Sequence, residues 1–330
     1  MHAQAARQLQ WLAYRLLVHA AILGAATAAS SEALKLERKI ALGDVAGRID
    51  HMAFDPANNR LFVAELGNNS VGIVDVKAGS VVHRIAGLSE PQGVGYAPAK
   101  DLLVVANGGT GEVVAYKASD YSVAWRLAFG SDADNIRIDP QTGELVVGYG
   151  SAVATLDDRG RIIRTSQLAG HPEAFQLAGD RLFINVPSGR QIAALDRKSG
   201  QVKTWPMQAR ANFPMAIAVD AKQVVSVFRD PPRLGVFDQE SGRETASAGT
   251  CGDADDVWID AKRNRVYVSC GEGRVAVLSR EGGGLKEVER VRTIEGARTS
   301  LFVPDLDLLF LAARARGGEK AAIWVFRAGD

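Results

Sequence analysis

Residues 52–66 read MAFDPANNRLFVAEL: an alternating apolar segment, a turn with Pro and Asn, and a second apolar segment. Residues 136–150 (IRIDPQTGELVVGYG) and 257–271 (VWIDAKRNRVYVSCG) follow the same plan. Two such segments around a short turn are typical of a β-hairpin. Weaker copies begin at Val94, Phe175, Ile217 and Leu301. One hairpin-containing unit is therefore repeated seven times along the chain.

The repeat is regular enough to align. The last core residue of the first strand is apolar in every copy, at spacings of 39 to 44 residues: Phe54, Tyr96, Ile138, Leu177, Val219, Ile259 and Val303. Each copy continues into a third strand, such as SVGIVDV from Ser70, and a fourth, such as SVVHRIAG from Ser80. Four short strands in roughly every forty residues are typical of one blade of a β-propeller.

The two ends of the repeat complement each other. The last copy stops after its third strand, AAIWVF, while LERKIALG from Leu36 resembles the fourth strand of the other copies. This predicts an all-β, seven-bladed β-propeller with four-stranded blades, in which the N-terminal strand completes the C-terminal blade. We expect residues 29–330 to form this single domain. A stacked solenoid is the alternative, but it would need polar capping repeats.

Two segments resemble a known family. LLVVANGGTGEVVAYKASD (residues 102–120) and VYVSCGEGRVAVLS (residues 266–279) resemble the YVTN repeat, with its small glycine turn and following apolar strand. The chain is similar to the exported YncE-like seven-bladed propellers of bacteria, although the literal Y-V-T-N tetrad is absent. The resemblance implies a periplasmic propeller of binding or scaffold type.

The first residues have the pattern of a secretory signal peptide. Arg7 and Arg15 precede the apolar run LLVHAAILGAA, and Ala26-Thr27-Ala28 fits the A-x-A cleavage pattern. The run is too short to span a bilayer of about 30 Å as a helix. We expect residues 1–28 to be removed on export, giving a periplasmic or secreted protein. A buried N-terminal helix or a longer anchor is the alternative.

The composition excludes several protein classes. Two cysteines in 330 residues exclude a small scaffold held together by disulfides. A hydrophobic content of 47% excludes a disordered protein. The 39 Lys and Arg nearly balance the 38 Asp and Glu, so the chain lacks the excess of positive charge that is typical of nucleic-acid-binding proteins. This charge balance argues against nucleic acid as a partner. We expect a monomer without a membrane span that binds a small ligand or a protein.

Acidic residues recur just before the first strand of each copy. One aligned position reads Asp50, Gln92, Asp134, Glu173, Met215, Asp255 and Thr299, and the next includes His51, Asn135 and Asp256. In a propeller these loops surround one end of the central channel, which we call the channel mouth. Carboxylate and amide oxygens there would attract a hard cation such as Ca²⁺, an amine or a basic partner segment. The alternative is that they close loop backbone as Asx-turns.

Three further residues are candidates. Arg137 occupies an aligned position that is otherwise uncharged, which predicts either an ion pair with Asp134 or a neighbouring carboxylate, or an anion-binding arginine in the channel. Cys251 lies just before the first strand of the sixth copy, and Cys270 ends its second strand. A hairpin brings those two positions together, so we expect a disulfide in an exported protein.

Recognisable catalytic motifs are absent from the sequence. It contains no G-x-S-x-G, H-E-x-x-H or P-loop pattern, so we assign no catalytic residues, no metal ligands and no cofactor. The favoured function is a non-catalytic propeller that binds a ligand or partner through an acidic channel mouth. A lactonase-like metal-dependent hydrolase using Glu173, Asn135 and Asp255 is the alternative, as is acid–base catalysis by His51 with Asp50 or His171 with Glu173. An interaction scaffold without a small ligand is a third possibility.

Overall fold

The structure is a computed structural model that describes residues 32–330. These residues form twenty-eight strands in seven four-stranded antiparallel sheets. The innermost strand of each sheet contacts the innermost strands of the sheets before and after it, and the first contacts the last. Seven sheets closed into a ring around a channel make a seven-bladed β-propeller, which confirms the predicted fold.

The strands are numbered in chain order, and the blades in the order of their innermost strands. From the innermost strand outward, they are β2 (Met52–Asp55), β3 (Arg60–Glu65), β4 (Ser70–Asp75) and β5 (Ser80–Ala86) in blade 1; β6 (Pro91–Ala97), β7 (Leu102–Asn107), β8 (Glu112–Lys117) and β9 (Val123–Ala128) in blade 2; β10 (Ala133–Ile138), β11 (Leu145–Tyr149), β12 (Ala152–Leu156) and β13 (Ile162–Gln167) in blade 3; β14 (Phe175–Ala178), β15 (Arg181–Val186), β16 (Gln191–Asp196) and β17 (Val202–Pro206) in blade 4; β18 (Arg210–Ala218), β19 (Gln223–Asp230), β20 (Pro232–Asp238) and β21 (Glu244–Gly249) in blade 5; β22 (Ala254–Asp260), β23 (Arg265–Cys270), β24 (Arg274–Ser279) and β25 (Lys286–Arg292) in blade 6; and β26 (Ser300–Val303), β27 (Leu308–Ala313), β28 (Ala322–Ala328) and β1 (Leu34–Ala41) in blade 7. Short 3₁₀ turns occupy Leu66–Asn68, Pro98–Lys100, Glu281–Gly283 and Pro304–Leu306.

Burial differs between the middle and the outer strands of a blade. Strands β3 and β7 are buried at almost every position, because neighbouring blades cover both faces. Strands β13 and β25 at the outer edge alternate between exposed and half-buried residues. The apolar clusters therefore lie between adjacent blades, and each blade depends on its neighbours for stability.

Strand β1 closes the ring as predicted. It pairs with β28 from Leu34 opposite Ala328 to Ala41 opposite Ala322, and the amide of Leu42 donates to the carbonyl of Ala321 at 2.9 Å. Ile40 and Leu42 are each only 1% exposed and pack in the cluster between blades 7 and 1. The first strand of the described chain is thus the outer strand of the last blade.

Four of the innermost strands change register at the channel mouth. The shifts lie between Pro91 and Val94, Ala133 and Ile136, Asn212 and Met215, and Ala254 and Asp256. A bulge leaves residues of one strand without a partner in the next and redirects their side chains. In β10 and β22 the residues affected include Asp134, Asn135 and Asp255.

In the structure Cys251 and Cys270 form a disulfide with Cα atoms 5.9 Å apart. Both side chains are fully buried in the apolar cluster between blades 5 and 6. The bond ties the loop that enters β22 to the end of β23. It therefore fixes one segment of the channel mouth.

Removing this bond should destabilise the protein. We expect the double variant Cys251→Ala, Cys270→Ala to lose about 3 kcal/mol of unfolding free energy, because the bond closes a short loop in the unfolded chain. Urea denaturation measures the loss. Dithiothreitol should lower the urea midpoint of the natural protein and leave that of the variant unchanged. An unchanged midpoint of the natural protein in reductant would contradict the prediction.

Candidate functional site: the channel mouth

The residues predicted at the channel mouth come together in the structure. Asp50 and His51 precede β2, Glu173 precedes β14, and the other predicted residues lie in β10 and β22. Asp134 is close enough to raise the pKa of both Asp50 and Glu173, whose principal cause of elevation is burial. Charged groups from blades 1, 3, 4 and 6 therefore act on one another across the channel.

His51 lies between two carboxylates. Its Nε2 is 3.8 Å from Asp50 Oδ1, and its Nδ1 is 3.8 Å from Asp256 Oδ1. The other oxygen of Asp256 accepts a hydrogen bond from the Ser300 amide at 2.7 Å. Burial opposes a charge on the ring, but Asp256, Asp50 and Asp134 raise the pKa of His51 to about 10. His51 is therefore a cation at neutral pH.

A second histidine has a similar environment at blades 3 and 4. His171 Nε2 is 3.6 Å from Asp134 Oδ2, and its Nδ1 lies 2.8 Å from the carbonyl of Gly150. Hydrogen bonding to Asp134 raises the pKa of His171 to about 9, although burial opposes the charge. Burial also raises the pKa of nearby Glu173 to about 7. Within residues 32–330, the Glu173 carboxyl has no hydrogen-bond or ion-pair partner.

These shifts make stability depend on pH. The folded pKa values of His51 and His171, about 10 and about 9, exceed the usual 6.5. The two charged histidines therefore stabilise the folded state fully below pH 6.5. This stabilisation is lost as pH rises towards these values, by up to about 1.4 kcal/mol per pH unit for each histidine. We expect urea denaturation between pH 6.5 and 9 to show a steep loss of stability, and a shallower one in His51→Gln, His171→Gln. Equal slopes would contradict the assignment.

Two arginines and two aspartates form a second group, which we call the rim quartet: Arg229, Asp253, Asp255 and Arg298. Arg229 lies 2.6 Å from Asp255 and 3.3 Å from Asp253, while Arg298 lies 2.8 Å and 2.7 Å from the same carboxylates. The guanidinium of Arg229 also stacks on the ring of Phe213 at 3.8 Å. Burial raises the pKa of Asp255 to about 6, against the opposing effect of both arginines.

Arg137 has amide and carbonyl partners, in contrast to the predicted ion pair with Asp134. Its Nη1 donates to Asn135 Oδ1 at 2.5 Å and to the carbonyl of Ile136 at 2.7 Å, and its Nε donates to Gln176 Oε1 at 3.3 Å. In the described part of the chain, no carboxylate lies within 4.0 Å of this guanidinium. Burial lowers the pKa of Arg137.

The structure corrects the prediction of an acidic channel mouth. Arg48 lies 2.5 Å from Asp50, and the arginines of the rim quartet bind Asp255. Arg48 and Arg298 were not among the predicted residues because they lie outside the two aligned positions, Arg48 two residues before Asp50 and Arg298 one before Thr299. The sequence signal that could have identified them is an arginine within two residues of an aligned position. Most charges at the mouth therefore lie in pairs of opposite sign, and Glu173 and Arg137 are the exceptions among the described residues.

The predicted hydrolase ligands do not form a free metal-binding set. Asp255 is bound by two arginines, and Asn135 accepts from Arg137. Among residues 32–330, no three His, Cys, Asp or Glu side chains are grouped so that they could hold a metal ion. The donors present therefore do not fit a divalent cation.

Comparison with known proteins identifies a family and a fold. The model of the family described as outer membrane protein assembly factor BamB matches residues 67–328. No curated protein matches the sequence. The matched family is not that of the YVTN repeat, so that resemblance stays a prediction. In residues 32–330, no helix has the length and apolarity needed to cross a membrane.

Solved structures share the fold at low sequence identity. A chain in the crystal structure of the mitotic checkpoint complex has a TM-score of 0.78 and 15% identity, covering 90% of this chain and 92% of that chain. The WD40 repeats of RRP9 have a TM-score of 0.77 and 12% identity, covering 90% and 98%. Hydrazine synthase of Kuenenia stuttgartiensis has a TM-score of 0.70 and 16% identity, covering 82% and 94%.

Proposed function

Since this chain belongs to the family of outer membrane protein assembly factor BamB, we propose that it is an exported, non-catalytic propeller that binds a partner protein at its channel mouth. The partner class follows from the family description: a component of outer membrane protein assembly. The rim quartet with Phe213 is the observation that carries the proposal.

The rim quartet has the properties of a preformed protein-binding surface. Arginine and aromatic residues are enriched where binding energy concentrates in protein interfaces. Ion pairs of 2.6 to 3.3 Å and the stack on Phe213 hold the two arginines in place before a partner arrives. The Asp253 side chain remains 44% exposed, and the arginines are 20% and 23% exposed. Binding therefore requires little further ordering of side chains.

Export is part of the same proposal. A disulfide between buried cysteines favours an oxidising compartment, and the family description refers to the outer membrane. The predicted signal peptide, residues 1–28, lies outside the described residues. Together these observations favour a periplasmic location.

Photo-crosslinking from the two ends of the propeller tests the proposal. A photoreactive residue at position 272, next to the rim quartet, should crosslink to an envelope protein, whereas one at position 262, at the opposite end, should not. Arg229→Ala, Arg298→Ala should abolish the crosslink from position 272, because it removes both guanidinium groups. Equal crosslinking from both positions, or a crosslink insensitive to the double variant, would reject the channel mouth as the binding surface.

A hydrolase is the second candidate function, favoured by one observation. Glu173 has no described partner, a pKa of about 7, and a His171–Asp134 pair beside it, as acid–base catalysis would require. Because arginines already bind two of the three predicted metal ligands, Asp255 and Asn135, we expect neither Ca²⁺ nor EDTA to change the melting temperature. Elemental analysis of protein purified without chelator provides the second measurement. Stoichiometric metal, with a melting temperature that falls in EDTA, would favour the hydrolase.

A further inference from the structure

Arg137 differs from the other arginines of the channel mouth. Arg48, Arg229 and Arg298 each have a carboxylate oxygen within 2.5 to 2.7 Å. In residues 32–330 no carboxylate lies within 4.0 Å of Arg137. The corresponding position of the other six blades is uncharged. A guanidinium in such a confined place normally has an anionic partner, so the missing partner requires an explanation.

The neighbouring acids do not supply that partner. Asp256 and Asp134 are the charges that act on Arg137 most, and both oppose the lowering of its pKa by burial. However, Asp256 already faces the cationic ring of His51, and Asp134 already faces His171. Both carboxylates therefore have a cation of their own. The positive charge of Arg137 is left without a dedicated counter-ion.

The hydrogen bonds of Arg137 leave one nitrogen available. Nη1 donates to Asn135 and to the carbonyl of Ile136, and Nε donates to Gln176. Nη2 has no hydrogen-bond partner among the described residues. These three bonds fix the plane of the guanidinium, while the side chain remains partly exposed. Arg137 is therefore held in place with two N–H donors free.

We propose that Arg137 binds a carboxylate in the channel through Nη2. A monoanion suits the site, because Asp134 and Asp256 nearby would repel a second negative charge. The carboxylate has two possible sources: a free small carboxylate, or an acidic side chain on the partner segment. The second source rests on the proposed function, whereas the first does not.

The natural protein alone gives the primary test. We expect titration with acetate to shift the side-chain N–H resonances of Arg137 in NMR spectra to saturation, while chloride at equal ionic strength does not. An N-acetylated peptide amide with a single Glu represents the partner segment. Tighter binding of this peptide than of acetate would assign the carboxylate to the partner, and equal or weaker binding would assign it to a free small molecule. No saturable shift with either probe overturns the proposal.

Variants separate binding by Arg137 from general charge effects. Binding to the variants is followed by the side-chain amide resonances of Asn135 and Gln176, which contact Arg137 and are present in every variant. Arg137→Gln should weaken binding of the carboxylate probe about tenfold or more, since a charge-assisted hydrogen bond is lost. Arg137→Lys should weaken it less, because the charge remains while the fixed fork is lost. The control Arg161→Gln removes the same charge from an exposed turn at the opposite end and should have no effect. Equal binding by Arg137→Gln and the natural protein overturns the proposal even where the variant folds normally.

The two proposals fail in different ways. If the crosslink from position 272 persists in Arg137→Gln while the NMR titration shows no response, the carboxylate site is wrong and the partner surface stands. If the carboxylate probe binds but no partner crosslinks from position 272, the carboxylate site stands with a free small molecule as its ligand.

Discussion

Deletion of residues 34–42 is expected to abolish cooperative unfolding of the propeller. The deletion removes β1 and with it the buried side chains of Leu34, Ile40 and Leu42, which are 2%, 1% and 1% exposed. Losing one such side chain to Ala typically costs about 2–5 kcal/mol, whereas a whole domain is stable by only about 5–15 kcal/mol. The outer edge of β28 would also lose its backbone partners. Urea denaturation followed by circular dichroism should show no cooperative transition.

Point variants and complementation make this prediction specific to ring closure. Ile40→Ala should lower the unfolding free energy by about 2–5 kcal/mol. Lys35→Ala, an exposed position on the same strand, should change it by less than about 0.5 kcal/mol. A peptide of residues 32–43 added to the truncated chain should restore the transition. A truncated chain that unfolds like the natural protein would show that β1 is dispensable.

Arg84→Ala is expected to have the second largest effect. Glu65 is completely buried, and Arg84 binds its two oxygens with Nε at 2.8 Å and Nη2 at 3.0 Å. The same Nη2 donates to the carbonyl of Leu42 at 2.7 Å, directly after β1. Without Arg84 a carboxylate would remain buried without its cation, which costs about 3–5 kcal/mol. Thermal and urea unfolding measure the loss.

The repeat itself provides the matched control. Arg126 occupies the position of Arg84 in blade 2 and binds Glu112 at 2.8 Å, but Arg126 is 52% exposed and Glu112 is 31% exposed. Arg126→Ala should therefore cost only about 0–1 kcal/mol. Adding Glu65→Gln to Arg84→Ala should recover part of the stability, because the uncompensated buried charge is removed. Similar losses for Arg84→Ala and Arg126→Ala would show that burial does not set the strength of this ion pair.

The blade architecture could be predicted because it depends on periodicity alone. Apolar residues at Phe54 and five of its six counterparts lie in the inner strands, and the similarity of LERKIALG to the other fourth strands revealed the closure. The prediction of Val219 as a core residue was wrong, because β18 ends at Ala218 and Val219 is 68% exposed. Neither inference requires a side-chain geometry. Symmetry also places the residues before the inner strands around one end of the channel. The location of the candidate site was therefore available from the sequence.

The partners within the site could not be predicted, because they depend on irregular geometry. The register shift in β10 leaves Asp134 and Asn135 without partners in β11, so strand alternation does not show which of them reaches Arg137. Asn135 binds Arg137, and Asp134 faces His171. Arg298 binds Asp255 of the preceding blade, a contact that the alignment of copies cannot show.

The pairing of β1 with β28 also determines how long β1 stays unpaired while the chain is synthesised. Ala41 and its partner Ala322 lie 281 positions apart, so the ribosome makes β1 near the start of synthesis and β28 near its end. At about 5–20 residues per second, β1 waits for some tens of seconds before its partner exists. Throughout that interval Leu34 and the edge of β1 that pairs with β28 have no native surface to cover them, and Ile40 has only the blade 1 side of its cluster. The N-terminal strand of the newly made chain therefore needs protection from aggregation at least until β28 has been synthesised.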